Sequence, residues 1–220
     1  MTEKDWQNIM KKIISFSLWG NDPKYCVGAI RNAQLAQLYF PEWECVFHCG
    51  LDVPGIYLSA LEGFKNCTII HRPENTFGAF WRFESMQPGT IVLSRDCDSR
   101  LSMRERHIVD EWLRVDSKML VIRDHVNHYD FPILAGMWGL RDGLSKTDFE
   151  MMNKYNTTHK YLMDQFYLRD IVWRAYQFDG LCQGIRETSW MRASYKEIGK
   201  DFIGQSYDIN DVPVYDGKLE

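Results

Sequence analysis

The segment "TIVLSRDCDSRL" (residues 90–101) holds the densest chemistry in the chain, because an apolar run of Ile91, Val92 and Leu93 leads directly into Arg95, Asp96, Cys97, Asp98, Ser99 and Arg100. Two carboxylates one residue apart at the end of a strand can face the same cation. Asp96 and Asp98 are hard oxygen ligands, which suit Mg²⁺ or Mn²⁺ and not the softer metals. Two protein ligands leave most coordination positions to water or phosphate oxygens, the pattern expected for gripping a diphosphate through a metal, and a nucleotide is implied. The plain alternative is that one aspartate caps the helix starting near Met103 while the other is solvated.

Five other groups of residues bear on the same question. Arg82, in "FGAFWRFES" just before that strand, can offer its guanidinium fork to phosphate oxygens, or can pair on the surface with Glu84 or Glu105. Arg95 lies nearer the carboxylates and can orient Asp96 or Asp98 from behind. "RDHVNH" gathers Asp124, His125 and His128, which can act as general base and acceptor-binding groups, as metal ligands, or as ordinary surface side chains. In "ILAGMWG", Gly136 and Gly139 permit close backbone approach and Trp138 offers a stacking face for a sugar, unless the stretch is a turn beside a core tryptophan. "YLMDQFYL" places Asp164 and Gln165 on a helix, either at the edge of a crevice or as a surface pair.

These residues need elements to position them, and the sequence pattern supplies a β–α rhythm. "KIISFSLWG" reads as a strand, closed by "NDP" and followed by a helix from about Pro23 to Tyr39, with Asp22 as N-cap and Pro23 at the first helical position. Strand and helix signals then alternate through "ECVFHCG", "PGIYLSALEGF", "CTIIH", "FGAFWRFESM", "TIVLSRD", "MRERHIVDEWLRV" and "MLVIRDH". This spacing predicts an α/β fold with a mainly parallel central sheet flanked by helices. After Asp124 the rhythm breaks into loop, short strand and loop, a long helical stretch from about Lys160 to Gln177, and a turn-rich tail. In open parallel sheets ligands settle beyond the carboxyl ends of the strands, so "SLWGND", "SRDCDSR" and "RDHVNH" are expected to share one crevice.

Composition bounds the alternatives. At 220 residues with 45% hydrophobic and 14% aromatic residues and a formal charge of −4, the chain is expected to form one unit with a full core, not a disordered chain or a nucleic-acid-binding polycation. No apolar window has the length of a membrane span, "MTEKDWQNIMKK" lacks a signal-peptide core, and the six scattered cysteines read as reduced thiols, which together predict a soluble cytoplasmic protein.

Taken in order, "KIISFSLWGNDPKYCVGAIRNAQLA", "FWRFESM", "RDCDSRLSMRE", "VIRDHVNH", "AGMWG", "DQFYL" and "FIGQSYDIND" resemble the metal-dependent nucleotide-sugar glycosyltransferases of the GT-A fold. The likeness is strongest to compact domains encoded by chlorella viruses and bacterial capsule clusters. The resemblance implies a single GT-A (Rossmann-like) domain over residues 1–220, in host cytoplasm if viral, compatible with being one module of a longer protein. It implies a UDP-type sugar donor and a glycan acceptor, as in polysaccharide biosynthesis, with Mn²⁺ or Mg²⁺ on Asp96 and Asp98. It implies that the nucleotide lies near Ser17 and Trp19, that Arg82, Arg95 and Asp96 serve the donor, and that His125, His128, Gly136 and Trp138 lie toward the acceptor. Many relatives of this fold supply a third metal ligand, often His, from the C-terminal region. Here the last histidine is His159, leaving water or Asp208 for that place. An inverting reaction needs a carboxylate base, for which Asp124 comes first and Asp164 second; a retaining one needs none.

Three rivals have weaker support. A haloacid-dehalogenase-type phosphohydrolase also uses D-x-D, but normally on an N-terminal strand and with Thr or Val where Arg100 stands. A sugar nucleotidyltransferase should carry a Gly-rich phosphate loop, which "SLWGNDPKY" lacks. A non-catalytic carbohydrate-binding module would explain the aromatics but not "RDCDSR" beside Arg82.

Overall fold

The computed structural model describes residues 10–73, 78–157, 160–188, 191 and 201–214. The chain's opening residues and His159, both used in the sequence reading, lie outside these ranges. The elements run β1 (Lys11–Leu18), α1 (Pro23–Tyr39), β2 (Glu44–Gly50), α2 (Gly55–Glu62), β3 (Cys67–Arg72), a 3₁₀ helix (Gly78–Ser85), β4 (Thr90–Arg95), α3 (Met103–Arg114), β5 (Met119–Arg123), a 3₁₀ turn (Val126–Tyr129), β6 (Trp138–Arg141), α4 (Lys146–Asn156), α5 (Met163–Tyr167), a π turn (Leu168–Val172), α6 (Trp173–Tyr176), a 3₁₀ turn (Gln177–Asp179) and β7 (Gly180–Gly184). The seven strands form one sheet in the order β3-β2-β1-β4-β6-β5-β7. All pairings are parallel except those of β6, which runs antiparallel to both β4 and β5. The fold is the α/β class expected, a mostly parallel central sheet with helices on both faces.

Core residues alternate along the strands, so each face of the sheet carries its own apolar layer. Ile14, Phe16 and Leu18 of β1 join Leu93, Ile108 and Trp112 under α1 and α3. Ile13, Val92, Phe83, Trp138 and Tyr167 form the layer under the 3₁₀ helix and α5. The polar residues of β1 point to that second face, where Ser15 Oγ lies 2.8 Å from Ser85 Oγ and His48 Nε2 lies 2.8 Å from the same hydroxyl. The 3₁₀ helix is thus fastened to the sheet by buried hydrogen bonds, which a fully apolar surface could not orient as narrowly.

The boundaries of α1 and β2 match the sequence pattern, and Asp22 caps α1 by accepting from the Lys24 amide at 2.9 Å, with Pro23 in the first turn. Two regions differ. "FGAFWRFESM" forms a 3₁₀ and not an α-helix, and in the stretch from Lys160 to Gln177 the helix starts only at Met163 and carries a π turn between α5 and α6. Leu162, at φ 67°, explains the late start: a left-handed residue resets the chain direction just before α5.

Candidate active site

Sheet register fixes the location of the site. β1 and β4 are parallel neighbours with Phe16 opposite Arg95, so the residues after them, Ser17 to Trp19 and Asp96 to Asp98, emerge side by side. Strand order also reverses between β1 and β4, the kind of switch point where loops diverge and a crevice opens. A cavity of about 620 Å³ occupies that position, lined by Ser17, Trp19, Arg82, Asp96, Asp98 and Asp164 among others.

Arg82 is the centre of the polar network. Its guanidinium binds Asp96 through Nη1 and Asp164 Oδ2 through Nη2 at 3.3 Å, while its own amide donates to Ser17 Oγ at 2.9 Å. Its surface alternatives are taken elsewhere, since Glu84 pairs with Arg72 and Glu105 with Arg95. Burial opposes the Arg82 charge, but Asp96 and Asp164 outweigh it and hold the guanidinium more firmly protonated than usual. Burial raises the pKa of Asp164, with Arg82 pulling the other way and Asp96 adding to the rise.

The loop carrying Asp96 and Asp98 is held from behind by α1. Asn32, fully buried, donates to the carbonyls of Cys97 (3.2 Å) and Ser99 (2.8 Å) and accepts from the Leu101 amide (3.0 Å). A side chain at Gly28 would collide with the Cys97 carbonyl, so the helix approaches as closely as a glycine allows. The chain's late segment contacts the same loop: Ser206 Oγ lies 2.9 Å from Asp98 Oδ2, and the Tyr207 amide donates to the Asp98 carbonyl at 2.9 Å. Asp98 also receives the Lys24 ammonium at 2.8 Å.

The fit of this site to a divalent ion can be judged from its donors. Asp96 is about half exposed, its side chain at 47%, and its carboxylate sits where a methyl group at Gly136 would collide with it. Asp98 already accepts an ammonium. Two hard carboxylates beside one cavity suit Mg²⁺ or Mn²⁺, with other positions left to phosphate and water. Among the described residues no group of three or more His, Cys, Asp or Glu side chains could hold a metal. Asp208 adds no third ligand: its Oδ1 accepts the Asn210 and Val212 amides at 2.8 and 2.9 Å, closing a local turn.

Several expected site residues lie elsewhere. Arg95 turns inward, 1% exposed, to Glu105 and to the carbonyls of Ser94, Gly136 and Trp138, so it does not line the cavity; it fixes the strand that abuts Asp96. Trp138 is fully buried against Phe83 and offers no stacking face. Gly136 does permit a close approach, but to the Asp96 side chain. "RDHVNH" does not share the crevice. Asp124 is fully buried and spends both oxygens on Arg104 and on the Ile203 amide (2.9 Å), while His125 stacks on Phe202 at 4.2 Å and buried His128 lies beside both rings. The segment 201–203 covers the end of β5, which sequence spacing alone could not reveal.

The cavity also includes residues the sequence reading passed over: Tyr25, Tyr161 and Leu162. Lys24 and Asn32 were missed too. Lys24 had a visible signal, a cation directly after the cap and proline of a helix that opens beyond a strand end. Trp19, 44% exposed, meets Trp81 edge-on at 6.1 Å and packs over Gly78, which pins its ring at the cavity wall.

No protein-family model matches the chain, and no curated protein does. Among solved structures, the chain is similar to 4-diphosphocytidyl-2C-methyl-D-erythritolsynthase from Anaerococcus prevotii DSM 20548, at 14% identity over 79% of this chain and 88% of that one, with a TM-score of 0.49. Among the described residues no helix is long and apolar enough to cross a membrane, and all six cysteines are free thiols.

Proposed function

We propose that the chain is a metal-dependent glycosyltransferase that moves a sugar from a UDP-type nucleotide sugar to a hydroxyl group of a glycan acceptor. The observation that carries this reading is the meeting of Asp96, Asp98, Arg82 and Asp164 around one cavity at the strand-order switch. Asp96 and Asp98 are the residues to hold Mn²⁺ or Mg²⁺, which when bound supplies Lewis-acid neutralisation of the donor's diphosphate. Arg82 presents a fixed positive charge beside the same place, suited to stabilising the negative charge that develops on the departing diphosphate. Trp19 gives the wall an aromatic face for the base or sugar.

Asp164 is the general base of this proposal. It lines the cavity, Arg82 fixes one of its oxygens, and its raised proton affinity suits accepting a proton from an acceptor hydroxyl. Asp124, first in order from the sequence, has no path to the cavity. The reading is tested by thermal denaturation with nucleotides. UDP is expected to raise the melting temperature only with Mn²⁺ or Mg²⁺ present, and Asp98→Ala to abolish the rise; equal stabilisation of the variant removes the metal from the proposal.

A further inference from the structure

Two cations of the chain neutralise the two aspartates of the loop, and they are built differently. Arg82 is nearly buried, held by Asp96, Asp164 and the Arg95 carbonyl. Lys24 sits at the cavity's edge with 29% of its side chain exposed, its Nζ 2.8 Å from Asp98 Oδ2. A guanidinium gripped on several sides stays in place, whereas an ammonium on a flexible four-carbon stem can change partners at little cost.

The position of Lys24 in its helix is a second, independent observation. It follows Pro23 in the first turn of α1, a helix of 17 residues with no acidic residue in that turn. The amide end of a helix is electropositive, so a cation there is disfavoured by about 0.3–1 kcal/mol unless an anion answers it. The capping Asp22 lies at that end, and Asp98 is the carboxylate that the ammonium itself contacts. Its other contact through the same oxygen is the neutral Ser206 hydroxyl.

We infer that Lys24 is an exchangeable counterion of the donor site: its ammonium neutralises Asp98 before donor binds and passes to the donor's diphosphate when a divalent ion takes that carboxylate. The inference rests on the donor and metal reading above. It makes the ion and the diphosphate mutually dependent. An ion arriving alone takes from the ammonium the carboxylate it contacts, whereas an ion arriving with a diphosphate brings a replacement partner with it. Lys24 therefore selects for a diphosphate over a monophosphate and disfavours the bare ion.

The test is Mn²⁺ binding followed by electron paramagnetic resonance, and nucleotide binding by calorimetry, for the wild type, Lys24→Met and Asp98→Asn. Lys24→Met is expected to bind Mn²⁺ alone about three- to tenfold more tightly than the wild type, the scale of one partly exposed ion pair. With saturating Mn²⁺ it is expected to lose most of the wild type's preference for UDP over UMP. If the wild type binds Mn²⁺, Asp98→Asn does not, and Lys24→Met binds the bare ion no more tightly, the counterion role is overturned while the metal reading stands. If the wild type binds no Mn²⁺ with or without UDP, both fall. A Lys24→Met protein that keeps the full UDP-over-UMP preference overturns the transfer to diphosphate.

Discussion

Asp96 and Asp124 each follow a strand of the same sheet and each binds an arginine, yet they end in opposite circumstances. Asp96, with Arg82 and Asp164, faces a cavity and keeps half its surface exposed. Asp124, with Arg104, is sealed beneath residues 201–203 and has no oxygen left for a ligand. The chemistry of the side chains is nearly the same in both places. What separates them is backbone: at the β1/β4 switch the loops diverge, whereas at the end of β5 a segment from the far end of the chain closes over the carboxylate. A carboxylate–arginine pair is a site only where a second chain segment has not already taken the remaining lone pairs.

Exchanging each acid for its amide is the sharpest way to break this contrast. Asp164→Asn is expected to lower the rate of UDP release from a sugar donor by about 10²–10⁴-fold while UDP affinity changes little. Asp124→Asn is expected to leave that rate unchanged per folded molecule and to cost about 1–3 kcal/mol in urea denaturation, because Arg104 loses its ionic partner. The opposite pattern, with activity lost at 124 and kept at 164, would reverse the assignment of base.

A smaller effect on function but a large one on stability is expected at Arg95. Arg95→Met leaves Glu105 buried without its cation, and stability should fall by about 3–5 kcal/mol in denaturant titration. Adding Glu105→Leu should recover much of that loss. A single variant as stable as the wild type would mean that Arg95 does not brace the strand against Asp96.

The smallest effect concerns pH. Burial holds the pKa of His128 down at about 3, with His125 adding to it, and burial and Arg72 do the same for His48, also to about 3. An imidazole depressed in the folded state contributes its full stability above its unfolded value of 6.5 and loses it as pH falls toward 3. Burial pushes Asp124 up to about 6, against the Ile203 amide and Arg104, which acts in the opposite sense below that pH. Through these imidazoles the melting temperature should drop as pH is lowered from about 6.5, and less steeply in His128→Asn. An unchanged slope in that variant would place the acid sensitivity elsewhere.

Local signals made much of this legible. Asp22 and Pro23 mark the start of α1, β2 shows as an apolar run, and the strand before Asp96 announces the loop at its end. The partners of those elements were hidden because they depend on distant pairings. Nothing in "RDHVNH" distinguishes it from a site until Phe202 and Ile203 are laid across it, and Arg95 reads as a cation serving Asp96, Asp98 or the donor until strand alternation turns it toward Glu105. Trp138 reads as a stacking face because its glycine neighbours suggest that backbone approaches a ligand there; the alternative, a core tryptophan, holds, since β6 inserts between β4 and β5 and buries it. Leu162 has no sequence signature, since a left-handed leucine is held by its surroundings and not by its own preference.

The hydrogen bond between Ser206 and Asp98 spans 108 residues of sequence. During synthesis the loop with both of its aspartates leaves the ribosome long before the hydroxyl and amide that brace it. A nascent or prematurely terminated chain can therefore assemble the β1–β4 half of the sheet with the loop only partly restrained. The turns at residues 201–214 act as a completion step, so the arrangement of the acidic pair depends on a segment made 108 residues later.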